Sequence, residues 1–235
     1  MHPLSNDMIQ TQQIVSKLSN VNHSKKIVAA LLLALISITT AATENPCCGP
    51  ITTSGAHLEY LIDHSNVEQL WLAGRRIHWD TGQEVDPDSP YRKAVGTHCS
   101  AFAASFAKKL GVYLPHPPEY SQILLANAQY KWLHSEKAVE LGWKPLDTAE
   151  LAQSNANQGK LVVAVFANPN PNKPGHIAII RPSLKNLHEL HEFGPQATQA
   201  GEKNFVSIAI KHAFKYHPGA WPNGIRYYAN IPKTE

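Results

Sequence analysis

The stretch "KLVVAVFANPNPNKPGHIAIIRP", residues 160–182, decides the fold. "KLVVAVFA" (160–167) is a continuous run of apolar, mostly β-branched residues, the pattern of a strand covered on both faces. "NPNPNKPG" (168–175) is dense in turn formers. "HIAIIRP" (176–182) is a second apolar run. Two strands joined by so short a link predict an antiparallel pair, because a parallel crossover needs a longer connection. Downstream, "LHELHEF" (187–193) is read as a third strand and "NGIRYYANI" (223–231) as a fourth. Upstream, Leu58, Leu61, Ile62, Val67, Leu70 and Trp71 recur at helical spacing and predict one or two short helices over 54–73. A helix opened by Pro118 is expected through "QILLANAQYKWL". Another is expected over "TAELAQSNANQ", capped by Asp147 and Glu150 and stopped at Gly159. Helices first and strands after give an α+β class.

The chain has 235 residues and a net charge of +3. No basic run marks the body of the chain, so nucleic acid is not an expected partner. Residues 27–42, "IVAALLLALISITTAA", follow Lys25 and Lys26 and end in small residues, the layout of a cleavable secretory leader. An uncleaved anchor is the alternative reading. Cleavage after Ala42 would leave 193 residues, and losing three lysines and one aspartate would take +3 to +1. The expected organisation is a signal peptide over 1–42 and one domain over 43–235, secreted or periplasmic, touching membrane only through the leader. All three cysteines lie beyond it. The odd number leaves one thiol over: either Cys47 and Cys48 form a tail pair with Cys99 free, or Cys99 is bridged to the tail.

"GTHCSAFAASFAKKLG" (96–111) puts Cys99 at the head of a helix. Thr97 is the expected N-cap. Cys99, Phe102, Ala103, Phe106 and Leu110 share one face, and Gly111 ends the run. Unpaired amides and the helix dipole at that position lower a thiol pKa. A cysteine nucleophile also needs a base, and His176, at a strand start, is the candidate.

The order of a cysteine opening a helix, then "GKLVVAVF", then "PGHIAIIRP", resembles the papain-like amidases and peptidases of the NlpC and CHAP type. The resemblance covers about residues 95–200 and also points to a narrower exported bacterial subfamily sharing "THCSAF", "LANAQ" and "QAG". It implies helices packed on a small antiparallel sheet and a thiol hydrolase cutting an amide bond, with peptidoglycan peptides as the leading substrate. It implies Cys99 as nucleophile and His176 as base, with first-turn amides at Cys99 and Ser100 for the oxyanion and Tyr91 as a further possible donor. A third, polar residue should orient the imidazole. Gln199 is favoured; Gln196, His188 and Glu192, with Glu189, His191 and Asn204, stay open.

No cofactor motif is seen. "HELHE" lacks the spacing of a zinc protease, and on a strand His188 and His191 would face opposite ways. The competing class is a catalytically inactive exported binding protein on the same fold, with a cleft lined by Trp79, Trp132 and Trp143. Oligomeric state is not legible.

Overall fold

The computed structural model describes residues 46–85 and 96–233. The expected leader (1–42), Tyr91 and part of the 80–90 loop lie outside the described residues. Glu44–Glu235 forms one compact unit. Its elements, in chain order, are α1 (Thr53–Asp63), α2 (Cys99–Lys109), α3 (Leu125–Leu133), α4 (Glu136–Glu140), β1 (Lys144–Leu146), α5 (Ala149–Asn157), β2 (Leu161–Phe166), β3 (His176–Ile180), α6 (Leu187–Phe193), β4 (Gln196–Ala200), β5 (Asn204–Ala209), α7 (Ile210–Ala213) and β6 (Arg226–Asn230). The strands make one antiparallel sheet in the order β1-β6-β2-β3-β4-β5.

The α+β class and the antiparallel β2–β3 pair are as the sequence predicts, with Phe166 opposite His176 and Val162 opposite Ile180. The unbroken apolar run of β2 has a direct cause. Leu161, Val163 and Val165 pack with Ile177 and Ile179 against α1, α2 and α3 on one face. Val162, Ala164 and Phe166 pack with Ala178 and Ile180 against α5, α7 and the chain leading to β6 on the other. A strand covered on both faces has no polar side. α2 is buried more completely than a single apolar face requires: every residue from Cys99 to Ala107 is buried. Its alanines let it approach β3 and β4 closely, while Phe102 and Phe106 each contribute roughly 1.5–3 kcal/mol by burial.

Several boundaries differ from the sequence reading. "LHELHEF" is the helix α6, not a strand, because Asn186 and Glu189 form a reciprocal capping box one residue before the run. The α5 cap is Thr148, whose hydroxyl accepts from the Leu151 N–H, not Asp147. α3 begins at Leu125, not at Pro118, because Leu124 before it takes the left-handed conformation and interrupts a helix from upstream. Helix α1 ends at Asp63, and Val67 and Trp71 are buried from turns instead. β4 and β5 form from "QATQA" and "NFVSIA", two strands that no apolar pattern in the sequence marks.

The ends of β3 and β4 are locked by α5. Gln153, fully buried, donates from Nε2 to the Arg181 carbonyl and accepts from the Gln196 N–H, both at 2.9 Å, while the Arg181 N–H donates to the Gln196 carbonyl at 2.9 Å. Arg181 itself reaches Glu59 and Asp63 of α1 at 3.0 Å each. Cys47 and Cys48 are joined to each other and Cys99 is free, the first of the two arrangements considered. Among the described residues no helix is long and apolar enough to cross a membrane.

Candidate active site

Three segments distant in sequence meet where β3 parts from β4. Their register pairs Ile179 with Thr198 and Ile180 with Ala197. Nearer the start of β3 the two strands separate, and β4 is irregular against β5 between Ala197 and Gln199. The N-terminus of α2 lies against this opening. Cys99, His176 and Gln199 all line one cleft of ≈ 1230 Å³.

Gly175 explains why the histidine starts the strand. A Cβ there would lie 2.1 Å from the Phe166 carbonyl oxygen and 2.5 Å from Asn127 Oδ1, so only glycine lets the link come this close to β2 and α3. Buried beyond it, His176 donates from Nε2 to Gln199 Oε1 at 2.6 Å. This bond fixes the tautomer and leaves Nδ1 as the lone-pair nitrogen. Gln199 is held in turn by its Nε2–H on the Lys203 carbonyl at 3.3 Å, and a Cβ at Gly201 would press on its amide at 2.9 Å. Of the third-residue alternatives, only Gln199 reaches the imidazole. Gln196 donates to Ser207 Oγ, and Asn204 donates to the carbonyls of Val67 and Leu70. On exposed α6, His188 pairs with Glu192 and His191 with Glu150, while Glu189 closes the capping box.

Thr97 is not the cap of α2. That position falls to His98, which makes no side-chain cap bond, and the Thr97 side chain instead hydrogen-bonds the Cys99 thiol. The thiol also meets the backbone of Ile177, directly after His176. Burial pushes the Cys99 thiol up, and hydrogen bonding with the Ile177 backbone, the Thr97 side chain and the backbone of its own first turn pulls it back only in part. The sequence expectation of a lowered thiol pKa therefore fails: desolvation outweighs the helix terminus. Burial likewise holds His176 down at about 4, against the raising effect of Gln199. Thiol and imidazole, which line the same cleft, are both neutral at rest. His98 is neutral too: burial lowers it, its Nε2–H donates to the Arg75 carbonyl at 2.8 Å, and its Nδ1 accepts from Gln122 at 3.2 Å. It supplies no charge to the thiol.

Sequence reasoning missed the bracket supplied by α3. In "LANAQ", Asn127 accepts from the Asn168 N–H at 3.2 Å and donates to the Lys173 carbonyl at 2.9 Å, clamping the link that delivers His176. Gln129 donates to the carbonyls of Ser100 (3.0 Å) and Pro115 (2.9 Å), clamping the first turn that carries Cys99. Their spacing of two gave no helical-face signal. His217, stacked on His176, was missed as well.

The tryptophans do not line the cleft. Trp143 is core, Trp79 stacks on His116, and Trp132 packs on Tyr113. Among the described residues no group of three or more His, Cys, Asp or Glu is placed to hold a metal ion. A neutral thiol that shares a cleft with an oriented imidazole has the groups needed to pass its proton on as it attacks an electrophilic carbon. Set against known proteins, the chain matches no family model and no curated protein.

Proposed function

We propose that the protein is a thiol hydrolase of the papain-like NlpC and CHAP type that cleaves an amide bond, with Cys99 as nucleophile, His176 as base and Gln199 as the residue that orients the imidazole. The observation that carries the reading is the 2.6 Å bond from His176 Nε2 to Gln199 Oε1 in the cleft that also holds Cys99. Any buried imidazole N–H calls for an acceptor; what supports the reading is that this bond leaves the second nitrogen unprotonated in the cleft that also holds Cys99.

Sγ attacks the amide carbonyl carbon as its proton passes to His176 Nδ1. The imidazolium then protonates the leaving amine, the C–N bond breaks, and a thioester remains. Water, deprotonated by the same nitrogen, releases the carboxylic acid and restores the thiol. The first-turn amides of α2 are the donors nearest the developing oxyanion. We take the protein to be exported, and peptidoglycan peptides to be its substrate, on the resemblance of its motifs.

One observation favours a second reading, an inactive binding protein on the same fold: burial raises the Cys99 thiol. Alkylation with iodoacetamide, read at Cys99 by peptide mass between about pH 5 and 9, separates the two. The hydrolase reading expects a rate that stays high well below the ordinary thiol range and falls on His176→Ala. Absent labelling, or labelling indifferent to His176, favours the binding protein. Digestion of purified peptidoglycan then tests the substrate.

A further inference from the structure

We propose that His217 is a positioning residue of this site: the face of its ring holds the His176 imidazole between Cys99 and Gln199 and shares the charge when that imidazole accepts the thiol proton. The inference rests on the hydrolase reading above.

The two imidazoles lie nearly parallel, with centroids 4.8 Å apart and planes 14° apart. Phe214 meets the His176 ring edge-on at 4.7 Å and 76°. Gln199 thus fixes the rotation of the His176 ring in its own plane, and His217 and Phe214 fix its tilt. His217 is itself held, between the edges of Phe166 and Phe214 at 6.3 Å each, and by a turn in which its N–H donates to the Phe214 carbonyl and its carbonyl accepts from the Ala220 N–H. Its half-exposed ring lines the same cleft.

A neutral aromatic face attracts a cation stacked on it. When the thiol proton reaches His176, such a face lies parallel to it at 4.8 Å, in a site where desolvation otherwise opposes the charge. Around the pair, Cys99 comes from α2, while His212, Lys215 and Tyr216 belong to the same stretch as His217. Among the described residues, Glu202 and Lys203 in the β4–β5 turn and Arg76 and His98 near α2 complete the titratable and charged lining. None of these stacks on His176.

The test is iodoacetamide alkylation of Cys99 in the full chain, in which Sγ displaces iodide as its proton passes to His176. His217→Leu fills the space without an aromatic face and is expected to slow the reaction about tenfold near neutral pH. His217→Phe restores the face and should recover the rate to within about threefold of the starting protein. Rescue by phenylalanine but not by leucine separates an aromatic face from mere filling of space. A His217→Leu rate equal to that of the starting protein, or failure of phenylalanine to restore it, overturns the proposal. His176→Ala run alongside distinguishes the failures: if it leaves the rate unchanged, the Cys–His reading falls and this inference with it; if it slows the rate while His217→Leu does not, only the role of His217 falls.

Discussion

Acidification should destabilise this protein through His176 before its carboxylates titrate fully. In the folded state burial holds that imidazole at about 4, against an ordinary value of 6.5. As pH falls through 6.5 the unfolded chain takes up a proton that the folded chain refuses, so the unfolded state binds more protons across that window and stability falls with pH. Below about 4 both states are protonated and the loss stops. At ~1.4 kcal/mol per unit, the whole window is worth about 3 kcal/mol, a large fraction of a typical domain's stability. His217 is depressed in the same direction and adds a smaller, solvent-screened contribution. The assay is urea unfolding at a series of pH values, on the starting protein and on His176→Leu, which lacks the titration. The difference between the two curves isolates the histidine from the acids. It should grow as pH rises from about 4 to about 6.5 and then level off. The opposite slope, with the starting protein losing ground as pH rises through neutrality, would mean that His176 is protonated against a Cys99 thiolate at rest. That result would refute the neutral pair.

Gln199→Ala leaves a buried imidazole N–H without its acceptor and should cost about 1–3 kcal/mol in unfolding free energy while slowing Cys99 alkylation; an unchanged alkylation rate would remove Gln199 from the site. Gly175→Ala drives a methyl to 2.1 Å from the Phe166 carbonyl oxygen, so the link must shift and carry His176 with it. Alkylation should drop by at least about tenfold even where circular dichroism shows the fold intact. Arg181→Ala removes a buried guanidinium and leaves Glu59, Asp63 and the Val206 carbonyl without it. Because both carboxylates are partly solvated, the loss should be about 1–3 kcal/mol by urea unfolding, below the cost of breaking a fully buried pair.

What was legible in the sequence was whatever a single physical cause determines. The β2 run reads as a strand because both faces of Leu161–Phe166 are covered, and the Gly175–His176 step reads as a strand start because the link must turn there. β4 was opaque for the converse reason. Ala197, Thr198, Gln199 and Ala200 are all buried, but they are small or polar, so neither apolar alternation nor an apolar run marks them. Gln199 stands out because "QAG" breaks no core pattern and gives the amide no packing reason to be there, whereas the family's spacing points at His188. "LHELHEF" misled because its residues suit either state and the deciding signal, Asn186 with Glu189, straddles the start of the run. The thiol was misjudged because a helix terminus is visible in a sequence and burial depth is not. His217 gave no signal, since its stacking on His176 depends on a chain path that local spacing does not encode.

The lock that Gln153 places across β3 and β4 has a consequence for how the sequence can vary. His176 and Gln199 stand on opposite sides of α6, yet α6 contributes no residue to the cleft. The chain leaves the sheet after Arg181 and returns at Gln196, and those two residues are bonded to each other and to the same buried amide side chain. That lock separates the excursion from the β3–β4 pair, while buried Leu190 and the packing of Phe193 on His212 tie its far end down. Length changes before Leu190 should be absorbed at the surface, whereas a single inserted residue between Gln196 and Gln199 would turn the amide to the other side of the sheet. Descendants of this chain are free to vary the lead-in to α6 and its exposed residues, and a search for them is best anchored on the two flanking segments with an elastic gap between.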